Sequence, residues 1–221
     1  MIAKPKQGYE FSFKDNLASP SIGHKFGGHN DVHGAKCPNC RKPLLLLLKL
    51  CVADPRLEMQ AKGLSELPIL FCWTCDLAHG NFAYTVDGHG GIEIIQYTKG
   101  KRYKDFPYPG YPLEFPERVF DLQKVPAEEA RIMALYAKSL KPWRGFPRKL
   151  LIPKHQIGGT PSLFTNDDEV CPVCSATIPL LGALGDDAGT KDGFTGNPYD
   201  VQTLFHFCRT CNCVVVYQLC D

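Results

Sequence analysis

Residues 37–40 read Cys-Pro-Asn-Cys and residues 71–75 read Phe-Cys-Trp-Thr-Cys, and this pair of motifs decides the fold. Both motifs return later, as Cys-Pro-Val-Cys at 171–174 and Phe-Cys-Arg-Thr-Cys at 207–211. A Cys-x2-Cys turn brings two thiolates together, and two such turns supply the four soft ligands of a tetrahedral zinc site. The predicted ligands are Cys37, Cys40, Cys72, Cys75, Cys171, Cys174, Cys208 and Cys211.

The spacing of these motifs favours two separate sites. The gap between the paired motifs is 31 residues in the first half and 33 in the second, whereas 95 residues separate the halves. Pairing within each half closes the shorter loops. We therefore predict one four-cysteine site in each half and two structural zinc ions in all. Both gaps exceed the usual zinc-ribbon spacing, so pairing across the halves stays open as an alternative.

Redox chemistry is the main alternative interpretation of a Cys-x-x-Cys motif, and it needs a helix that starts behind the first cysteine. Cys72 and Cys208 instead follow apolar, aromatic runs that are typical of strands. Asp76 and Asn212 come directly after the motifs and tolerate the left-handed geometry of a turn. Three further cysteines have no partner at metal-ligand spacing and are predicted to be small buried side chains: Cys51, Cys213 and Cys220.

Other matches make the two halves a predicted internal repeat. His24-Lys-Phe-Gly-Gly28 recurs as His155-Gln-Ile-Gly-Gly159, and a proline with a leucine-rich run follows each first cysteine motif. We predict a mainly β fold of the α+β class, with two duplicated zinc-ribbon-like units and pseudo-twofold symmetry. The N-terminal unit covers 1–100, a Pro- and aromatic-rich connector with a helix covers 101–150, and the C-terminal unit covers 151–221, all packed as one compact domain.

Local patterns place the secondary structure. The predicted strands, rich in β-branched and aromatic residues, are Leu44–Val52, Leu67–Cys72, Asn81–Val86, Gly91–Thr98, Val201–Phe207 and Cys213–Leu219. One connecting helix is predicted from Pro126 to about Lys141, because proline suits a first turn and Glu128 and Glu129 suit a helix start. Its predicted apolar face consists of Ile132, Leu135, Tyr136 and Leu140.

The composition is that of a globular protein. The 221 residues are 44% apolar and 22% charged. The first residues carry no apolar stretch of signal-peptide length, and the run at 44–48 is far shorter than a membrane helix. We therefore expect a cytoplasmic protein without a membrane partner, in a reducing compartment where disulfides do not explain eleven cysteines.

Charge is unevenly distributed along the chain. The formal net charge of +2 argues against a dedicated nucleic-acid coat. It combines a net charge of +8 over residues 1–154 with −6 over residues 155–221. The two parts either attract each other or form a two-signed binding face. The basic, tyrosine-containing stretch at 97–104 leaves nucleic-acid binding as an alternative, although a solvated hairpin tip is the simpler interpretation.

The sequence contains none of the common catalytic motifs. His24, His29 and His33 lie among glycines without an HExxH pattern, and a loop with solvent-facing histidines is the simpler prediction. The H-x-E element of the zinc deaminases and the G-x-S-x-G nucleophile motif are both absent. A zinc ion held by four thiolates has no open position for an activated water. We therefore predict a non-enzymatic protein.

The combined motifs resemble two known families. His155-Gln-Ile-Gly-Gly159, the two C-terminal cysteine motifs and Tyr217-Gln218 resemble the second half of the YwqG-like family of bacterial proteins. Lys25-Phe-Gly-Gly28, Cys37-Pro-Asn-Cys40 and the leucine run after Pro43 resemble its first half, and are also similar to the programmed cell death protein 2 family.

These resemblances imply binding to another protein. The first implies a β-rich, internally duplicated fold without an established activity, and in some members an association with bacterial toxin systems. The second implies a chaperone for a ribosomal protein. We expect a non-enzymatic, zinc-stabilised protein-interaction protein with an unidentified protein partner, and an immunity protein of a toxin system is one specific form. The alternatives are a zinc-ribbon nucleic-acid-binding protein and a chaperone-like binder of a ribosomal protein.

Overall fold

The computed structural model of the chain describes residues 7–11, 22–59, 61, 63–72, 82–99, 114–139, 141, 144–151, 155–161, 168–185 and 201–220. Within these residues the fold is mainly β with antiparallel sheets, as predicted. The strands are β1 Tyr9–Glu10, β2 His24–Phe26, β3 Leu45–Cys51, β4 Glu66–Phe71, β5 Phe82–Val86, β6 Ile92–Gln96, β7 Arg118–Phe120, β8 Gln123–Lys124, β9 Gln156–Ile157, β10 Glu169–Val170, β11 Thr177–Ile178, β12 Leu180–Gly185, β13 Val201–Cys208 and β14 Cys213–Cys220. The helices are α1 Ala127–Ser139 and two 3-10 turns, Pro55–Leu57 and Arg148–Leu151.

Each long strand predicted from the sequence is present, with bounds that differ by a few residues at most. Helix α1 is also present, and Ile132 and Tyr136 of its predicted apolar face pack against the buried cluster of Met133, Phe146 and Leu150. Met133 and Ala137 are buried, whereas Leu135 is 43% exposed. Leu140 lies outside the described residues. No described helix has both the length and the apolar character needed to cross a membrane.

The strands form an eight-stranded sheet, a four-stranded sheet and a two-stranded hairpin. The orders are β6-β5-β14-β13-β12-β9-β1-β8, β4-β3-β2-β7 and β10-β11. The main core joins side chains of both large sheets, because Leu48 and Phe71 of the four-stranded sheet belong to the same apolar cluster as Phe205 and Val214 of the eight-stranded one. Tyr84 of β5 closes the edge of β4 by donating to the carbonyl of Pro68 at 2.8 Å.

The strands that carry the sequence motifs are arranged alike in the two large sheets. β3 lies between β2 and β4 in one sheet, and β12 lies between β9 and β13 in the other. The register shifts between Leu46 and Leu48 in β3, and between Leu180 and Gly182 in β12. The first glycine of each Gly-Gly pair, at 27 and 158, has a φ of 65°, a conformation that favours glycine.

Strands from the two halves of the chain are interleaved. β1, near the start of the chain, pairs with β9 in the register Tyr9↔Ile157. β7, within the connector, pairs with β2 in the register His24↔Phe120. β5 likewise pairs with β14. Each strand of a His-x-x-Gly-Gly motif therefore has a neighbour from outside its own predicted unit.

Four stacked rings run through the place where these strands meet. The ring of His24 lies 5.5 Å from that of Phe120, Phe120 lies 4.1 Å from Phe11, and Phe11 lies 5.4 Å from His155. The interplanar angles are 19°, 15° and 25°. This aromatic column connects the first residues of the two His-x-x-Gly-Gly motifs.

A largely buried ionic network holds the crossing between the sheets at Asp121 and Leu122. Arg56 donates from Nη1 to the carbonyl of Leu122 at 2.8 Å and forms an ion pair with Asp121 at 2.7 Å. A second ion pair joins Arg56 to Asp54 at 2.7 Å. Asp54 also accepts a hydrogen bond from Nε2 of His24 at 2.7 Å. The network therefore connects β2, the first 3-10 turn and the crossing.

His24 is held as a neutral imidazole of one tautomer. Its Nδ1 accepts from the backbone N–H of Cys51 at 3.1 Å, so Nε2 carries the proton that is donated to Asp54. Burial lowers the pKa of His24, although Asp54 opposes that shift. Burial would raise the pKa of the Asp54 carboxyl, but hydrogen bonds from Arg56 and His24 hold that pKa below its usual value.

We predict that His24 makes the protein sensitive to mild acid. Below pH 6.5 an unfolded histidine binds a proton that the native His24 does not, so stability is lost as the pH falls from there toward the lowered native pKa. The loss is up to about 1.4 kcal/mol per pH unit. Urea unfolding at pH 7.5, 6.5 and 5.5 should give a flatter pH dependence for His24→Gln than for the wild type. His29→Gln, at an exposed site, should keep the wild-type slope; equal slopes for all three proteins would contradict the assignment.

Candidate metal centres

The second metal centre gathers four cysteines from two turns. Cys171 and Cys174 lie in the turn between β10 and β11, whereas Cys208 ends β13 and Cys211 lies in the turn to β14. Their sulfur atoms all lie within 4.8 Å of one another, and the Sγ atoms of Cys174 and Cys208 are 3.7 Å apart. The four cysteines predicted for the C-terminal half therefore form one group.

Backbone hydrogen bonds shape the turn around Cys171. Its N–H donates to the carbonyl of Ala176 at 2.9 Å, and its carbonyl accepts from the N–H of Ser175 at 2.8 Å. Ser175 has a φ of 57°, a conformation that few non-glycine residues adopt. In the second turn Asn212 has a φ of 48°, and so adopts the left-handed geometry that the sequence predicts it to tolerate. These turns aim their cysteine side chains at a common point.

The first metal centre is built in the same way. The N–H of Cys37 donates to the carbonyl of Lys42 at 2.8 Å, and the carbonyl of Cys37 accepts from the N–H of Arg41 at 2.9 Å. Arg41 has a φ of 64°. The sulfurs of Cys37, Cys40 and Cys72 form one group, with 3.7 Å between Cys40 and Cys72. Cys75, the predicted fourth ligand, lies outside the described residues.

Both groups fit the geometry of a thiolate metal site. A zinc–sulfur bond of about 2.3 Å in a tetrahedron places sulfur atoms about 3.8 Å apart, close to the measured 3.7 Å. A disulfide would need about 2.05 Å, and the described cysteines of both groups are free thiols. Each group could therefore hold a metal ion, and soft thiolate ligands favour zinc or iron–sulfur chemistry over hard cations.

Within each group the thiols have different pKa values, because the ionisation of one thiol affects its neighbours. A hydrogen bond from Cys72 lowers the pKa of Cys37 to about 5. The backbone N–H of Ala176, with help from Cys211, lowers the pKa of Cys174 to about 7. Burial, together with Cys174, raises the pKa of Cys211 to about 12. One thiolate in a group therefore disfavours the next, and a divalent cation would remove that opposition.

A fifth thiol lies beside the second centre. Cys213 is completely buried, in one apolar cluster with Cys171 and Cys208. Burial, and next the charge of Cys171, raises the pKa of Cys213. Its burial agrees with the prediction, but its closeness to the metal ligands was missed. The available signal was the short gap between the predicted strands Val201–Phe207 and Cys213–Leu219. In the structure β13 and β14 pair, and Cys208 and Cys213 are cross-strand partners. Cys51 is half-buried, and the side chain of Cys220 is outside the described set.

The exposed histidines of the first half lie away from the cysteines. His29 is exposed and contacts Glu114, with 3.2 Å between Nδ1 and Oε2. His33 and His89 line an open cleft of about 300 Å³, which also holds the ion pair of Lys49 with Asp31. In the described part of the chain, the groups that could hold a metal consist of cysteines alone. The prediction of solvent-facing loop histidines is confirmed at His29 and His33. It is wrong at His24, which lies in β2 and is completely buried.

We predict unequal reactivity of the thiols once the metal is removed. In protein treated with a chelator at pH 7.5, iodoacetamide should modify Cys174 first, because this side chain is exposed and its pKa is about 7. Cys211, with a pKa of about 12, should react much more slowly. Mass spectrometry of peptides at short reaction times measures both rates. Earlier modification of Cys211 than of Cys174 would contradict the assignment, and Cys174→Ser serves as the control for peptide identity.

No family model, curated protein or solved structure matches the chain. The resemblance to the YwqG-like and programmed cell death protein 2 families therefore depends on the quoted motifs alone and stays a prediction.

Proposed function

We propose that this is a zinc protein whose two metal centres are structural, and that it binds another protein rather than catalysing a reaction. The observation that carries the proposal is the group of Cys171, Cys174, Cys208 and Cys211, with all sulfurs within 4.8 Å of one another. Four thiolates fill the coordination shell of zinc and leave no position for water or substrate. Such ions contribute directly to the folding free energy of small β units.

In this proposal the first centre is also a four-cysteine zinc site, with Cys75 as its fourth ligand. Cys37, Cys40 and Cys72 already supply three sulfurs in one group. Cys37 and Cys72 are buried, and burying several thiolates without a cation would be costly. Cys75 follows Cys72 at the same spacing as Cys211 follows Cys208.

The two units are proposed to be copies of one duplicated unit with pseudo-twofold symmetry. The support is the shared strand order, the matching register shifts and the common φ at the first glycine of each Gly-Gly pair. The aromatic column is consistent with it, since a histidine lies at each end and a phenylalanine next to each histidine. Interleaved strands would make the pair of units a rigid platform for a partner.

A structural role also suits the buried His24–Asp54 pair, which has the composition of a catalytic base. Both side chains have no exposed surface. Both ring nitrogens of His24 are engaged, one with the N–H of Cys51 and the other with Asp54. A substrate would therefore reach neither nitrogen without opening the core. The His24–Asp54 pair therefore stabilises the fold, and a partner protein would bind to surface residues instead.

A protein partner is favoured over nucleic acid by the charge distribution. The C-terminal part, residues 155–221, has a formal net charge of −6, and four thiolates with one divalent ion would make it more negative by two. A phosphate backbone would be repelled by that half. Of the basic stretch at 97–104, residues 100–104 lie outside the described part of the chain. An immunity protein of a toxin system and a chaperone-like binder of a ribosomal protein are the specific forms that the motifs imply.

We predict about two zinc ions per chain, measured by elemental mass spectrometry of protein purified without added metal. Cys174→Ser and Cys75→Ser should each lower the content to about one ion, because each removes one of four ligands. Cys51→Ser, which changes a thiol outside both groups, should keep the wild-type content. Since strands of the two halves are interleaved, each ligand variant should lower one common unfolding midpoint rather than unfold one half. An unfolding midpoint that metal removal leaves unchanged would refute the structural role.

The partner is tested in the native host with the zinc-loaded chain as bait. We expect a stoichiometric complex with one protein that survives nuclease treatment and gel filtration. Recovery of nucleic acid alone, with affinity that falls steeply as salt rises, would overturn the proposal in favour of the zinc-ribbon nucleic-acid binder. The neighbouring genes then separate the specific forms, since an adjacent toxin gene would favour immunity.

A further inference from the structure

The hairpin that carries Cys171 and Cys174 is a separate sheet from the one that carries the other two ligands of the second centre. In the described part of the chain β10 and β11 pair with each other, whereas β13 and β14 belong to the eight-stranded sheet. Cys208 and Cys211 lie at the turn between β13 and β14. The geometry of the second centre therefore depends on contacts between the hairpin and the large sheet.

Two contacts attach β11 of the hairpin to the large sheet. Ile178 of β11 is buried in one apolar cluster with Ala83 and Val215 of the sheet. The carbonyl of Ile178 also lies 3.2 Å from Nδ1 of His206 in β13. Ile178 follows Cys171 by seven residues, so these contacts hold the hairpin on the far side of its cysteine turn.

Cys213 contacts the cysteine turn itself. A side-chain hydrogen bond joins Cys213 to Cys171. Cys213 has no exposed surface, and it belongs to the same apolar cluster as Ile178 and Val215. Its sulfur also lies 3.9 Å from the carbonyl of Val214, which is long for a hydrogen bond. The buried thiol of Cys213 therefore has its hydrogen-bond partner in the metal centre.

The position of Cys213 suits support of a ligand rather than binding of the metal. Cys213 lies outside the group of four sulfurs that fits a metal ion. Its backbone is held on both sides, because β14 pairs with β13 in the register Cys208↔Cys213 and with β5 in the register Thr85↔Cys213. An uncharged thiol in such an apolar cluster can donate its S–H, and a ligand sulfur can accept it.

We propose that Cys213 is a positioning residue of the second metal centre. Its thiol donates a hydrogen bond to the sulfur of Cys171 and so orients this ligand of the hairpin toward the ligands on the β13–β14 turn. Groups that hydrogen-bond to a metal ligand orient it, and their loss costs about 10–100-fold in metal affinity. The inference rests on the proposed function, because it requires that the second group of cysteines holds a zinc ion.

The first centre has no fifth cysteine at the matching place in the sequence. Counting from Cys72 and Cys208, Leu77 takes the place of Cys213. A change at Cys213 should therefore affect one of two bound ions. This local effect distinguishes a positioning role from a general loss of stability, since interleaved strands would transmit a general loss to both centres.

The test uses the zinc-loaded full chain and measures the rate at which an excess of a chelating dye removes each ion. Cys213→Ala and Cys213→Val lack a donor, whereas Cys213→Ser keeps an O–H donor at the same position. In Cys213→Ala and Cys213→Val one ion should leave at least about tenfold faster than in the wild type, and the other should keep the wild-type rate. Cys213→Ser should restore the slower release.

The matched control is Cys51→Ala, which removes a thiol outside both cysteine groups and should leave both release rates unchanged. Cobalt-substituted protein gives a second readout, because thiolate-to-cobalt absorption reports the ligand sulfurs directly. That absorption should change in Cys213→Ala and return in Cys213→Ser, and melting temperatures verify that the variants are folded. Wild-type release from Cys213→Ala, equal acceleration of both ions, or equal acceleration in Cys213→Ser would overturn the inference.

The zinc content of the wild type separates the two proposals. If the wild type holds two ions and Cys213→Ala releases both at the wild-type rate, the structural centres stand and the role of Cys213 is wrong. If Cys213→Ala is purified with one ion while Cys213→Ser retains two, both proposals hold. If the wild type binds no zinc, the proposed function fails and the inference fails with it.

Discussion

The whole structure depends on the completion of each Gly-Gly strand by a strand from outside its own predicted unit. β2 lies between β3 and β7, and β9 lies between β12 and β1. Removal of either neighbour would leave a row of buried backbone groups without partners, which is costly in a core. The aromatic column and the Arg56 network lie at this junction, so packing and charge pairing reinforce the same strand pairings. The two halves are therefore expected to gain and lose structure together.

A metal ion held by each cysteine group would stabilise the ends of strands that this arrangement brings together. Cys72 directly follows β4, and Cys208 is the last residue of β13, so each centre ties a strand end to a turn more than thirty residues earlier. Without a cation the thiols of each group oppose one another's ionisation, as the contrasting pKa values of Cys174 and Cys211 indicate. A bound ion would remove that repulsion. It would also connect the local cysteine turns to the strands that pair over long range in the sheets.

Local chemistry made part of this structure predictable. The long strands and α1 follow from β-branched runs, leucine runs and helix-start residues, and the cysteine groups follow from Cys-x2-Cys spacing. The interleaving was not predictable, because β1 and β7 are only two and three residues long and find partners distant in sequence. In the sequence, Asp54 and Arg56 resemble ordinary loop residues. Only the structure shows that Asp54 bonds to His24 and that Arg56 pairs with Asp121 at the crossing between the sheets. Leu135 is predicted on the packed face of α1 but is exposed, because periodicity does not say which segment packs against the helix; that segment contains Phe146 and Leu150.

The two cysteine turns share one backbone arrangement but differ in their outer residues. Both use the same backbone hydrogen bonds and a residue with positive φ after the second cysteine, so their internal geometry is set by the motif. Their outer residues do not contribute to that geometry and can vary without loss of the metal ligands. In the first turn they are Lys36 and Asn39, and Asn39 fastens the turn to the protein's own chain. In the second they are two valines at the surface. The backbone of a cysteine turn therefore fixes where its thiols point, and its outer residues determine what else the turn contacts.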